Sequence, residues 1–174
     1  MTTIVLGPRP PEIAAFLERR RLLGQDSHDE VWEGRYVVSP FAHSNHGVVQ
    51  AELAVALRTR GKPLGLVPTV GFNLGEPENF RVPDGGLHRG APGVLYVDTA
   101  ELVVEVLSPD DQTFAKLDFY TARGVRELLV ADWQTQTVRC FALQDGQQER
   151  DRSEVLDVAM SVLETEIDWP PTGE

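Results

Sequence analysis

Between Glu101 and Ser108 the chain reads Leu102-Val103-Val104-Glu105-Val106-Leu107, five apolar side chains interrupted by one acid. A strand with one face in water alternates apolar and polar residues. This run does not alternate, so it belongs in the middle of a sheet covered on both faces. Downstream come a helical segment ending at Gly124 and two further strand-like runs, Arg126 to Asp132 and Thr137 to Leu143. Strand, helix, strand in that order implies a right-handed crossover and a parallel pair. Glu105 lies on the same strand face as Val103 and Leu107, which predicts a buried carboxylate. An unpaired charge there is costly, so Glu105 is protonated, paired with a cation such as a buried arginine, or bound to a metal.

Other elements assemble around that strand. Pro10-Pro11 suits a helix start, and Ile13, Ala14, Phe16, Leu17, Leu22 and Leu23 follow before Gly24. The Arg19-Arg20-Arg21 triplet lies in the last turn of that helix, either solvated at the negative end of its dipole or serving as a phosphate patch. Two short apolar runs flank Glu33-Gly34 and predict a hairpin. Val48, Val49, Leu53, Ala56 and Leu57 recur at helical spacing from Ser44 to Arg60, and Gly61 and Pro63 stop the run. From Pro63 to Pro92 short β-like pieces alternate with Gly and Pro, and Asp110 or Asp111 is the expected cap of the helix after Glu105. The tail from Gly146 offers Val155, Leu156, Val158 and Leu163 as core, with its structure open. Length sets the scale. The chain has 174 residues, which fits one domain spanning 1–174, with the core at about 30–143.

Charge and composition exclude several classes. Sixteen basic residues against 27 acidic ones give a net charge of -11, the wrong sign for a protein that coats nucleic acid nonspecifically. A local basic patch or bound divalent cations can still offset that repulsion. The single cysteine, Cys140, excludes an intramolecular disulfide framework and fits a reducing, cytoplasmic setting. The start carries neither a secretory pattern nor a membrane-spanning run, so no membrane partner is expected. There is no G-x-S-x-G elbow around Ser39, Ser44 or Ser108 and no phosphate loop. Trp32, Trp133 and Trp169 are scattered, as core or interface anchors would be.

Asp84, taken alone, is a turn residue between Pro83 and Gly85-Gly86. Beside Glu105 it becomes a second hard oxygen donor, and two carboxylates with waters make a site for Mg²⁺. Lys116, on the following helix, faces either solvent or a cleft; the helical wheel does not decide. His43 and His46 have the i, i+3 spacing of metal ligands without a third ligand nearby.

Taken together, these residues resemble a known family. Tyr36-Val37-Val38-Ser39-Pro40, His46 opening a helix, Arg81-Val82-Pro83-Asp84, the run from Leu102 to Pro109, Lys116, Tyr120, Gly124-Val125 and Asp132 are similar to the successive motifs of the Uma-two family. Its members are named for restriction endonucleases and belong to the PD-(D/E)xK nuclease superfamily. The resemblance implies an α/β, restriction endonuclease-like core: a mixed central β-sheet flanked by helices, here with an N-terminal helix and hairpin. It further implies a metal-dependent endonuclease acting on nucleic acid, DNA first, with Asp84 and Glu105 as ligands of Mg²⁺ or Mn²⁺. The superfamily pattern expects lysine two residues after the glutamate, where this chain has Leu107. In many family members the lysine stands on the next helix, which carries the role to Lys116. His46 matches the family's histidine, within a turn of Gln50 and Glu52. The alternative is a catalytically inactive nuclease-fold module that binds nucleic acid or protein. The short β-pieces and the proline-glycine loop add the expectation of a homodimer.

Overall fold

The computed structural model describes residues 3–5, 10–39, 43–108 and 112–172. Strand β1 (Thr3–Val5) is followed by helix α1 (Pro11–Leu22), which opens on proline where the missing N–H costs no helix bond. Two arginines of the triplet are engaged in ion pairs, Arg20 with Asp29 and Arg21 with Glu18. Strands β2 (Glu30–Trp32) and β3 (Arg35–Val38) form the expected hairpin. Glu33 and Gly34 have φ of 50° and 77°, the two left-handed residues that a type I′ turn requires. Helix α2 (Ser44–Gly61) follows and ends in a 3-10 turn, Lys62–Leu64.

The glycine- and proline-rich stretch consists of strands, as its short apolar pieces predict. These are β4 (Val67–Val70), β5 (Asn73–Glu76), β6 (Asn79–Arg81) and β7 (Gly85–His88), with the two-residue β8 (Tyr96–Val97) beyond. Strand β9 (Leu102–Val106) is buried along its whole length. The helix after it is shorter than the sequence suggests. A 3-10 turn, Thr113–Lys116, leads into α3 (Leu117–Ala122), and the expected caps Asp110 and Asp111 lie outside the described residues. Next come β10 (Glu127–Asp132), β11 (Thr137–Ala142), β12 (Gln148–Arg150), β13 (Arg152–Ser153), β14 (Val158–Ala159) and α4 (Met160–Glu164).

Among the described residues the strands form two six-stranded sheets and a two-stranded one. Their orders are β1-β3-β2-β6-β5-β8 and β12-β11-β10-β9-β7-β4, with β13 paired to β14. In the second large sheet β9 lies between antiparallel β7 and parallel β10, the parallel neighbour that the crossover demands. Successive β9 residues point to opposite faces. Leu102, Val104 and Val106 join a core with α2 residues Val49, Leu53 and Leu57 and with Val155, Leu156 and Leu163 of the C-terminal segment. Val103 joins the other core, with Tyr120 of α3, Leu128 and Val130 of β10, and Leu74 from the first sheet. Leu102 and Leu129 are fully buried, and truncating either to alanine would cost about 2–5 kcal/mol. One glycine is dictated by packing. A Cβ on Gly86 would stand 2.9 Å from both the Leu102 carbonyl and the Phe72 ring, so only glycine lets β7 lie this close to β9.

Candidate active site

The β7–β9 register fixes the relation between the two predicted carboxylates. Gly85 pairs with Val104 and Gly86 with Val103, so Asp84 comes just before β7 and Glu105 just after Val104 at the same end of that ladder. β7 begins only at Gly85. The Asp84 side chain takes over: its Oδ2 accepts the Val106 N–H at 2.7 Å. The remaining contacts come from α2. His46 lies three residues before Val49 on the buried face of the helix, and Gln50 lies one turn further on. His46 Nε2 is 2.9 Å from Asp84 Oδ1, its Nδ1 is 3.1 Å from Ser108 Oγ, and Gln50 donates to the Asp84 carbonyl at 2.8 Å. Glu52, in the same turn, points elsewhere and accepts from the Asp168 N–H.

Glu105 is buried as predicted, with 4% of its surface exposed. Its cation is a lysine, not the arginine weighed from sequence. Lys116 Nζ donates to Glu105 Oε1 at 3.0 Å, and the Tyr120 hydroxyl donates to the same oxygen. Lys116 and Tyr120 are four residues apart across the 3-10 turn and α3, which aims both at one point. Lys116 is thus no surface lysine. Its ammonium also donates to Glu30 Oε1 at 2.9 Å.

Glu30 is the residue that sequence reasoning missed. It lies on β2, buried, with Oε1 accepting the Val82 N–H at 2.8 Å and Oε2 accepting the Trp32 indole N–H at 2.6 Å. Its sequence signal is weak, because Glu30 opens a three-residue strand and directly follows Asp29. Its neighbour Arg81 is clamped between Trp32 and Phe119, 4.2 and 4.1 Å from the ring centres, and so ties the first sheet to α3.

Two carboxylates therefore share one ammonium, and a third, on Asp84, is near enough to Glu105 to act on it. Burial pushes the Glu105 carboxyl up to about 7; Lys116 opposes that rise, and the charges on Asp84 and Glu30 add to it. Burial works against the Lys116 ammonium, but Glu105 and Glu30 outweigh it and hold the amine above its ordinary value. Burial, then the Glu105 charge, raises the Tyr120 hydroxyl. The surroundings favour the charged form of the lysine, and the pull toward protonation falls on Glu105. Such a set suits a hard divalent cation. Among the described residues no three His, Cys, Asp or Glu side chains form a metal-holding group by themselves. His43 turns away from His46: its Nδ1 accepts the Asn45 N–H and its ring stacks on Trp133, so the pair is not a zinc site.

A mixed sheet with an α-helical crossover, joined to a hairpin-bearing second sheet, is the restriction endonuclease-like fold. A crystal structure described as a putative nuclease belonging to DUF820, from Anabaena variabilis, superposes with a TM-score of 0.65 at 17% identity, covering 79% of this chain and 90% of that one. The chain belongs to the Uma2 family, whose description is "Putative restriction endonuclease" and whose model matches residues 14–169. No curated protein matches its sequence. Among the described residues no helix is long and apolar enough to cross a membrane.

Proposed function

We propose that the protein is an endonuclease that hydrolyses phosphodiester bonds of nucleic acid, DNA first, with Mg²⁺ or Mn²⁺ held by Asp84 and Glu105. The observation that carries this reading is the pair of carboxylates, Asp84 bonded to the Val106 N–H and acting by its charge on buried Glu105, with Lys116 alongside. A divalent cation bound there would supply charge neutralisation on the phosphodiester and a more acidic water. His46 and the Val106 N–H fix the Asp84 carboxylate, so its orientation is set before any substrate arrives. Lys116 presents a fixed positive charge to the oxygens on which negative charge grows in the transition state, the arrangement that removes most reorganisation cost. Its position answers the departure at Leu107: a lysine at the end of the 3-10 turn before α3 reaches Glu105 from the next element in the chain.

The family name and the neighbouring structure's description as a nuclease support the same reading. The acidic surface supports the alternative of an inactive binding module, since most arginines are engaged by neighbouring acids, among them Arg89, Arg126, Arg139 and Arg152. One experiment separates the two. Purified protein is incubated with supercoiled DNA, single-stranded DNA and RNA, each with Mg²⁺ or Mn²⁺, beside an Asp84→Ala control. Metal-dependent cleavage by the wild type that the control lacks supports the nuclease; binding without cleavage under every condition supports the module.

A further inference from the structure

We propose that Glu30 is a positioning residue of this site, which makes the N-terminal hairpin part of the catalytic apparatus; the inference rests on the nuclease reading above. Lysine is a flexible side chain that places a charge accurately only when it is held at both ends. Lys116 is held from two sheets. Glu105 grips it from β9, in the sheet that also carries Asp84, and Glu30 grips it from β2, in the other sheet. An ammonium has three donors. Two of them go to these carboxylates, which leaves the third to meet a phosphate oxygen.

Glu30 is itself immobile. Its other oxygen is fixed by the Trp32 indole, whose ring is pressed by the Arg81 guanidinium, and that group rests in turn on Phe119 of α3. Through the Val82 N–H it also holds the peptide two residues before Asp84. Its single side chain thus sets both the lysine and the segment that delivers the aspartate. A carboxylate serves the Val82 and Trp32 N–H groups with one oxygen each, where an amide would turn a donor toward one of them. A third carboxylate, in a cluster that already has surplus negative charge, makes the fold harder to stabilise. The charge is explained by what it does to Lys116.

The chain contains only two lysines, Lys62 and Lys116, and Lys62 is exposed, which provides an internal standard. The metal-free full-length protein is treated with an amine-acetylating N-hydroxysuccinimide ester, and modification of each lysine is followed by mass spectrometry. In the wild type Lys116 should react at least about tenfold more slowly than Lys62, because a paired and charged amine is a poor nucleophile. Glu30→Gln should speed Lys116 by about fivefold or more and leave Lys62 unchanged. In the same variant kcat for DNA cleavage should fall by about tenfold to a hundredfold with KM for DNA within about twofold, the split of a misplaced group and not of lost binding. In a Lys116→Met background, Glu30→Gln should cause no further loss.

Equal reactivity of the two lysines in the wild type overturns the proposal, and so does unchanged Lys116 labelling in Glu30→Gln or an additive loss in the double variant. If Glu30→Gln does not fold, the wild-type labelling ratio decides alone. Absence of cleavage by the wild type sinks the nuclease reading, while the labelling still decides whether Glu30 clamps Lys116.

Discussion

Two glutamates lie buried on neighbouring central strands, Glu105 on β9 and Glu127 on β10, each with 4% of its surface exposed. They face opposite sides of the sheet. Glu127 shares its face with Leu129 and Ala131, where the C-terminal segment packs, and among the described residues it accepts only neutral donors: the Ser153 hydroxyl and the N–H groups of Glu154 and Val155, at 2.7 and 3.2 Å for the two amides. Ser153 then accepts the Leu156 N–H. This carboxylate caps a turn. Glu105 instead is set among charges: Lys116 bonded to it, and Asp84 and Glu30 pushing its pKa up. Equal burial therefore separates a structural acid from a site acid by the kind of partner each has. Backbone and hydroxyl donors satisfy a charge locally, whereas like charges leave it in want of a proton or a cation.

The comparison can be broken by substitution. The largest effect should be on cleavage: Asp84→Asn or Glu105→Gln should lower the metal-dependent rate by about a hundredfold or more, a loss typical of removing a group that stabilises the transition state. Wild-type rates in either variant would remove these residues from the site. Next comes stability. Glu127→Ala strands two backbone N–H groups and a hydroxyl, so urea unfolding should show a loss of about 3 kcal/mol or more, while Glu105→Gln should unfold no more easily than the wild type. If Glu105→Gln proved the weaker of the two, the distinction between the acids would collapse.

A smaller effect should appear with pH in the metal-free protein. Because the folded Glu105 carboxyl is raised to about 7 from 4.5, the folded chain binds more protons than the unfolded chain between those values. The penalty is fully present above pH 7, shrinks as pH falls, and is gone below the unfolded value. Stability should thus rise on acidification through that window, with a slope of at most about 1.4 kcal/mol per pH unit, and Glu105→Gln should abolish this component. A wild-type slope that the variant retains would assign the titration to another group. The smallest effect belongs to Glu52, two residues past Gln50 on α2 but, among the described residues, bonded only to the distant Asp168 N–H. Glu52→Gln should change stability by less than about 0.5 kcal/mol and leave the cleavage rate as it was. A homodimer, if formed, would show by light scattering as twice 19.3 kDa.

Much of this molecule is written locally. The unbroken apolar run around Glu105 determined a central strand and a buried acid, because only two-sided burial tolerates a run without alternation. Glu33-Gly34 determined the hairpin turn, since its two left-handed residues are a local backbone requirement. The four-residue spacing of Lys116 and Tyr120 was legible, although which side of the helix they faced was not. Tertiary structure alone decided the rest. Glu30 meets Lys116 across 86 positions, and no periodicity in a three-residue strand could announce that meeting. The Asp84 carboxylate accepts the Val106 N–H just before β7 begins, a role set by tertiary placement and not by residue type. The tail shows no pattern of its own, yet Val155, Leu156 and Leu163 are buried against α2 and the sheet, and Glu127 holds its turn in place. Backbone preferences and strand alternation act over a few neighbours and can be read from them. A buried charge is stabilised by whatever the fold brings beside it, and those partners are far away in the chain.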